Sequence, residues 1–394
     1  MTYAEQETTR AITWKAHTTT LPADARLPAP YVGKDGVASG PPREVCLPPQ
    51  FAHLTLLPEV REPALRLFAE LGIPWHAGVD GGPSNHLLSS QVQCVNALGQ
   101  MVTDPTRIVR AFGKLLGIAE VLQIEPGRYL TFEYIGQTDF FGEAPGGQRI
   151  RGAHCTSVDA AFLHRDRQGV VELVLVEWKY TERYRARRPD PAKDVVRRRR
   201  YGAALDDPDG PVRADVLDFE ELLDEPLYQL VRQQLLADEL EKAGAEGASR
   251  VRVLHVLAPE NREYQQSLPG AAHRALGGTV SEVWQRLLRR PDRFTSVDPQ
   301  TFLDPAVTSP EYVLRYAPDV IWDKDGLLAA FDLEAADDLE DRLYAEFDLD
   351  SDVFVRDHGV EIADTDGAWS LEWPFRAADL RRLAGDVAAD EERR

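Results

Sequence analysis

The sequence has little from which to build a disulfide framework. Its three cysteines, Cys46, Cys94 and Cys155, are far apart and odd in number, and they lack the close pairing of a zinc knuckle. Long apolar runs are missing too: none approaches the roughly 20 residues that span a bilayer. Residues 1–26 are polar, with acids among the basics, and contain no apolar stretch of the secretory-signal kind. These absences lead to the expectation of a protein of the reducing cytoplasm with no membrane partner. Internal repeats are absent, and so is any low-complexity tract beyond runs of charge. The glycine-rich residues 78–82 are not followed by Gly-Lys-Ser or Gly-Lys-Thr, so they do not form a phosphate-binding loop of that type.

What is present is enough for a sizeable core: 394 residues, 43% of them hydrophobic. Acids outnumber bases 65 to 45, for a formal net charge of −20. Taken alone this argues against a nucleic-acid partner, because phosphate contacts need Lys and Arg. The distribution argues otherwise. Arg183, Arg185, Arg187, Arg188, Lys193, Arg197, Arg198, Arg199 and Arg200 stand against only Asp190 and Asp194. A solvated helix or loop is the plain reading of such a run; a surface for nucleic-acid phosphates is the functional one. Residues 332–352 are strongly acidic.

The pattern along the chain predicts helices over residues 58–71, 87–98 and 105–116, with Gly72 as a stop and Thr103 or Asp104 as an N-cap. It then changes to strands over 129–135, 157–164 and 170–180, the last two joined as a hairpin through the polar turn 165–169. A helix over 225–243, a strand over 251–258 and a helix over 280–289 follow. The order predicts an α/β (α+β) layer fold. Residues 1–50, rich in Pro, Gly and Thr, read as an irregular lead-in. Residues 51–303 read as the main domain, and 304–394 as an acidic C-terminal extension or small domain.

The hairpin carries the chemistry. Side chains alternate along a strand, so Glu177 and Lys179 project to one face and Trp178 to the other. Asp159 sits early in the first strand and can lie beside them. Two carboxylates and an ammonium then cluster at the end of an apolar sheet. Neighbouring carboxylates repel, and one tends to stay protonated; a divalent cation relieves this. Mg²⁺ suits one or two carboxylates plus substrate phosphate oxygens. The lysine can hold or deprotonate an attacking water, or stabilise charge developing on phosphorus. That is an arrangement for phosphodiester hydrolysis. A bare Glu-x-Lys is common, and its plain reading is an ion pair at a strand end. The apolar strands, the upstream Asp and the downstream basic run shift the reading toward function. Cys155 with His154 as a nucleophile pair lacks a third, orienting group.

At these residues, Thr156-Ser157-Val158-Asp159-Ala160 and then Val176-Glu177-Trp178-Lys179-Tyr180-Thr181-Glu182, the chain resembles the PD-(D/E)XK nuclease superfamily. More narrowly, it resembles a bacterial group of restriction-endonuclease-like proteins. The further matching text is Ser89-Ser90-Gln91, Phe132-Glu133-Tyr134, Arg232-Gln233-Gln234-Leu235-Leu236 and Leu257-Ala258-Pro259-Glu260-Asn261. The match covers roughly residues 85–303. It implies a restriction-endonuclease-like core, a mixed central sheet flanked by helices. It also implies Mg²⁺ or Mn²⁺ held by Asp159, Glu177 and the main-chain carbonyl of Trp178, with Lys179 as the catalytic lysine. One departure stands out. Many superfamily members carry a Glu on the first core helix, and residues 87–98 contain no acid. Gln91 or Glu133 is left to fill that place. Gln229 and Gln233 share a helix face at i, i+4. Superfamily exonucleases often turn a Gln here toward the metal site or the nucleic acid; the plain reading is a polar helix surface.

The resulting expectation is a Mg²⁺-dependent endonuclease acting on DNA in bacterial defence or DNA processing. A homo-oligomer or a partner protein of a defence system is compatible with it. The alternative is a catalytically inactive nucleic-acid-binding or assembly module on a nuclease fold.

Overall fold

The computed structural model describes residues 1–184, 190–317, 321–330, 333, 335–347, 351–365, 367–391 and 393. The chain divides into two units. One holds residues 1–4, 64–75 and 98–299; the other holds residues 5–63, 76–97 and 300–394. Composition suggests three consecutive segments, whereas each unit is assembled from stretches distant in sequence.

The first unit begins its sheet after α1 (Pro105–Leu116). Asp104 caps this helix by accepting the Thr106 N–H, and Gly117 ends it at φ +64°. The strands are β1 (Ile118–Leu122), β2 (Leu130–Tyr134), β3 (Val158–Asp166) and β4 (Val171–Trp178). Then come α2 (Pro191–Asp206), α3 (Leu227–Ala243), β5 (Arg250–Val256), α4 (Val280–Leu287) and β6 (Phe294–Val297). The sheet order is β1-β3-β4-β5-β6, with β2 also on β3. β3 pairs β4, β1 and β2 antiparallel, while β4/β5 and β5/β6 are parallel. The parallel steps require crossovers, which α3 and α4 supply.

The β3–β4 hairpin closes through chemistry written in its turn. Asp166 accepts the N–H groups of Gln168 (2.8 Å) and Val170 (2.9 Å), and Gly169 supplies φ +85°. β3 runs two residues beyond its expected end, because His164↔Glu172 and Arg165↔Val171 continue the ladder. Ala161 and Leu163 of β3, Leu173 and Leu175 of β4, and Val251 and Val253 of β5 share a core with Leu230, Val231 and Leu235 of α3. All six strand positions are odd-numbered, so this face of the sheet is the one α3 covers.

A helix, Tyr3–His17, lies in the lead-in that reads as irregular, and from Glu5 onward it belongs to the second unit. Its buried positions, Glu7, Ala11, Trp14 and Lys15, are helically spaced. Two of the four are charged, which hides the stripe from a search for apolar residues. Trp14 Nε1 and Thr18 Oγ1 donate to Glu311 Oε1 at 2.6 and 2.9 Å. Arg315, 1% exposed, donates to the carbonyls of Thr55 (2.6 Å) and Leu87 (3.1 Å). Toward the C-terminus, α5 (Ala336–Phe347), a three-stranded antiparallel sheet of β7 (Asp352–Arg356), β8 (Gly359–Ala363) and β9 (Ala368–Glu372), and α6 (Ala377–Glu391) form a small core. Leu339 and Leu343 of the acidic stretch are buried in it. Among the described residues, no helix is long and apolar enough to cross a membrane.

Candidate active site

The strand registers bring the ionisable residues into one row. The β3–β4 ladder is paired as far as Ala160↔Val176, and one further step sets Asp159 beside Glu177. Across the parallel pair, Glu177 faces His255. On the other side, Phe132↔Ala160 and Tyr134↔Val158 bracket Glu133 opposite Asp159. Glu133 has φ +47° and accepts from Ser157 Oγ at 2.9 Å. Asp159, Glu177 and His255 keep the odd numbering of the face beneath α3. The row therefore lies where the apolar sheet gives way to charge.

Each side chain is held. The Trp178 N–H donates to Asp159 Oδ2 at 2.7 Å. Lys179 Nζ donates to Glu177 Oε1 at 2.5 Å and to Gln229 Oε1 at 2.8 Å. Tyr184 OH also donates to Gln229 Oε1, at 3.3 Å. Gln233 Nε2 donates to Glu177 Oε2. The expected co-facial arrangement of Glu177 and Lys179 is thus present as a direct contact. Gln233 is 1% exposed, so this part of α3 is not the polar surface that its composition allows.

The electrostatics follow from burial and proximity. Asp159 is pushed well above the usual carboxylate range by burial, then by Glu177 and Glu133. For Lys179, burial pulls the pKa down, but Glu177 and the surrounding Tyr184, Tyr264 and Glu182 outweigh it and leave it well above the ordinary lysine value. Lys179 is therefore an ammonium at neutral pH. In this state it can hold a water or stabilise negative charge. His255 is pushed down to about 3 by burial and by Lys179; its Nε2 meets Tyr264 OH at 3.1 Å. It is a neutral neighbour of the row.

The donor set suits a hard cation. Glu177 and Glu133 raise the pKa of Asp159, and positive charge between the carboxylates would relieve that repulsion. Gln233 Oε1 is buried with no hydrogen-bond partner among the described residues. No group of three or more His, Cys, Asp or Glu with metal-holding geometry occurs among those residues. Mg²⁺ does not require one, since it usually keeps several waters. Gln91 belongs to the second unit, where its Oε1 accepts the His76 N–H at 2.8 Å.

The basic run is only partly available. Lys193 pairs with Asp190 (3.2 Å), Arg197 with Asp194 (2.9 Å), and Arg198 with Asp206 and Glu220 (3.5 and 3.6 Å). Arg183 is mostly exposed, 3.7 Å from Glu263. Arg199 is exposed. Arg200 donates to the Glu143 carbonyl at 3.1 Å. Arg185, Arg187 and Arg188 lie outside the described residues. Cys155 is buried, with burial and Glu143 raising its pKa, and His154 is exposed. A thiol in that state is a poor nucleophile.

Residues 12–317 match the family described as restriction endonuclease associating with ARP. The chain belongs to this family. No curated protein and no solved structure matches the chain significantly. Membership in the restriction-endonuclease-associated family agrees with the mixed sheet flanked by helices and points to a nuclease-like role. Asp159, Glu177 and Lys179 fall inside the matched region. Sequence reasoning missed Tyr184, His255 and Tyr264 around Lys179. The β4–β5 register that places His255 beside Glu177 is set by packing through α3, which no local pattern reveals.

Proposed function

We propose that this family member is a metal-dependent nuclease that hydrolyses phosphodiester bonds, with DNA as the substrate and endonucleolytic cleavage as the mode. Bacterial defence or DNA processing is the setting such an activity suits. The observation that carries this reading is the contact of Glu177 with Lys179 beside Asp159 at the end of the sheet. Asp159, Glu177 and the main-chain carbonyl of Trp178 would hold Mg²⁺ or Mn²⁺. When bound, such an ion supplies positive charge to the phosphate and makes water a better nucleophile at neutral pH.

The chain's own groups do the positioning. Lys179 presents its ammonium where charge builds up on the phosphoryl oxygens, in a site that excludes most water. Gln229, itself held by Tyr184, fixes the Lys179 Nζ. Gln233 fixes the orientation of Glu177. A catalytically idle module has no need of this supporting set, which disfavours the alternative.

The test is incubation of the purified protein with closed-circular and linear DNA, each in single-stranded and duplex form, with and without Mg²⁺. Cutting of closed circles only when Mg²⁺ or Mn²⁺ is present is the expected result. Absence of cutting with either ion, in protein that binds DNA, would favour the inactive module.

A further inference from the structure

Two adjoining cavities lie beside the carboxylate row. Glu177 and Gln233 are each 1% exposed and Lys179 is 6% exposed. A phosphate that is to meet them must enter the protein. Beside them lies a cavity of about 160 Å³ lined by Ser157, Gln229 and Gln233 among others. It adjoins a larger cleft of about 710 Å³, since Cys155 and Arg232 line both. The larger volume falls within the range that takes one small ligand. A volume of that size matches one unstacked nucleotide unit rather than a paired duplex.

The cleft also carries unspent donors. A guanidinium offers several N–H groups in a planar fork. Arg232 spends one on Thr156 Oγ1 (3.1 Å), and Arg200 spends one on the Glu143 carbonyl (3.1 Å). Arg200 Nε is buried with no partner among the described residues. The one acid lining the cleft, Glu143, is already engaged. Its Oε2 accepts the Thr156 N–H (2.6 Å), and its Oε1 accepts Thr156 Oγ1 (2.7 Å) and Tyr201 OH (2.5 Å). The Arg232 guanidinium lies 3.8 Å from it. Two arginines with N–H groups to spare therefore line a cleft whose one carboxylate among the described residues, Glu143, is already engaged. A group with several anionic acceptors, such as a phosphodiester, matches that surplus.

We infer that the cleft between Arg200 and Arg232 is a phosphate subsite for the nucleotide next to the scissile bond, so that the substrate is a single strand or an unpaired end. This rests on the nuclease reading of the carboxylate row. Base stacking contributes little here, because Tyr201 and Tyr228 are 2% and 8% exposed; recognition runs through the backbone.

The experiment measures binding by the full chain without metal, using fluorescence anisotropy on a labelled oligo-dT strand and a blunt duplex of equal length. Cleavage of both is then measured with Mg²⁺. The single strand is expected to bind about tenfold or more tightly and to be cut preferentially. Arg200→Gln should weaken strand binding roughly fivefold and lower the salt slope by about 0.7, one phosphate contact, at unchanged melting temperature. Arg200→Lys should recover much of the loss. A duplex bound and cut as readily as the strand overturns the subsite and leaves the nuclease reading intact. Strand binding equal in wild type and Arg200→Gln overturns it as well. Strand-selective binding with no cleavage in Mg²⁺ supports the subsite while the nuclease reading fails. The preference of the wild-type protein is measured without any variant, so a misfolded substitution does not decide the outcome.

Discussion

Gln233 shows how the site depends on residues that do no chemistry themselves. Its amide holds one oxygen of Glu177 while Lys179 holds the other. Removing a partner that orients a metal-binding side chain typically costs about 10–100-fold in activity or metal affinity. Gln233→Ala is accordingly expected to lower turnover by that factor, measured at saturating Mg²⁺ with far-UV circular dichroism as the fold control. Unchanged turnover would separate Gln233 from the site. The juxtaposition of Asp159, Glu177 and Lys179 was legible from the sequence, because strand alternation is local and the hairpin brings its two strands together. Gln233 was half legible: its spacing from Gln229 was visible, but not which way the pair faces. Part of the basic run is engaged with acids of its own segment. Asp190 and Asp194 stand three residues before Lys193 and Arg197, and helical spacing lets each neutralise its neighbour.

The β3–β4 hairpin is the element that sets the row. Gly169 holds φ +85° with open space where a Cβ would stand. Gly169→Ala should therefore cost about 1–2 kcal/mol through backbone conformation alone, read from urea denaturation; no loss would mean the turn relaxes freely. At the turn end of the same sheet lies a buried ionic cluster. Glu172, fully buried, accepts from Arg252 at 2.6 Å and lies 3.5 Å from His164. Burial raises its pKa, but His164 and Arg252 outweigh that and pull it down to about 2. Because the folded value lies below the unfolded one, the stabilisation is complete above about pH 4.5 and is lost as pH falls through about 2. Glu172→Gln should be less stable than wild type by about 2–3 kcal/mol at pH 7 and converge with it near pH 2. A constant difference across that range would refute the assignment. The two strands of this sheet that the sequence did not reveal, β1 and β6, are short. Their residues are ordinary β-formers, or in β1 largely exposed, and their partners across the sheet define them.

At the scale of the whole molecule, composition suggested consecutive segments, and each of the two compact units is built from stretches distant in sequence. Arg315 explains why a clean C-terminal truncation is not available: it satisfies two carbonyls from the first hundred residues. Arg315→Met should destabilise the protein by about 2–4 kcal/mol, because both buried carbonyls lose their donor. Chemical denaturation reads this directly, and a loss under 1 kcal/mol would show that water replaces the guanidinium. The −20 net charge is a property of the whole chain and did not forecast the local field, where Arg200 and Arg232 face a saturated Glu143. The central claim is that Asp159, Glu177 and Lys179 form a hydrolytic centre, and one comparison tests it most directly. Wild type, Asp159→Asn and Lys179→Ala are incubated with a labelled DNA single strand in Mg²⁺, after their melting temperatures have been matched. Wild type should cleave and each variant should lose at least about 100-fold; variants that cut as fast as wild type would rule out a hydrolytic centre at these residues.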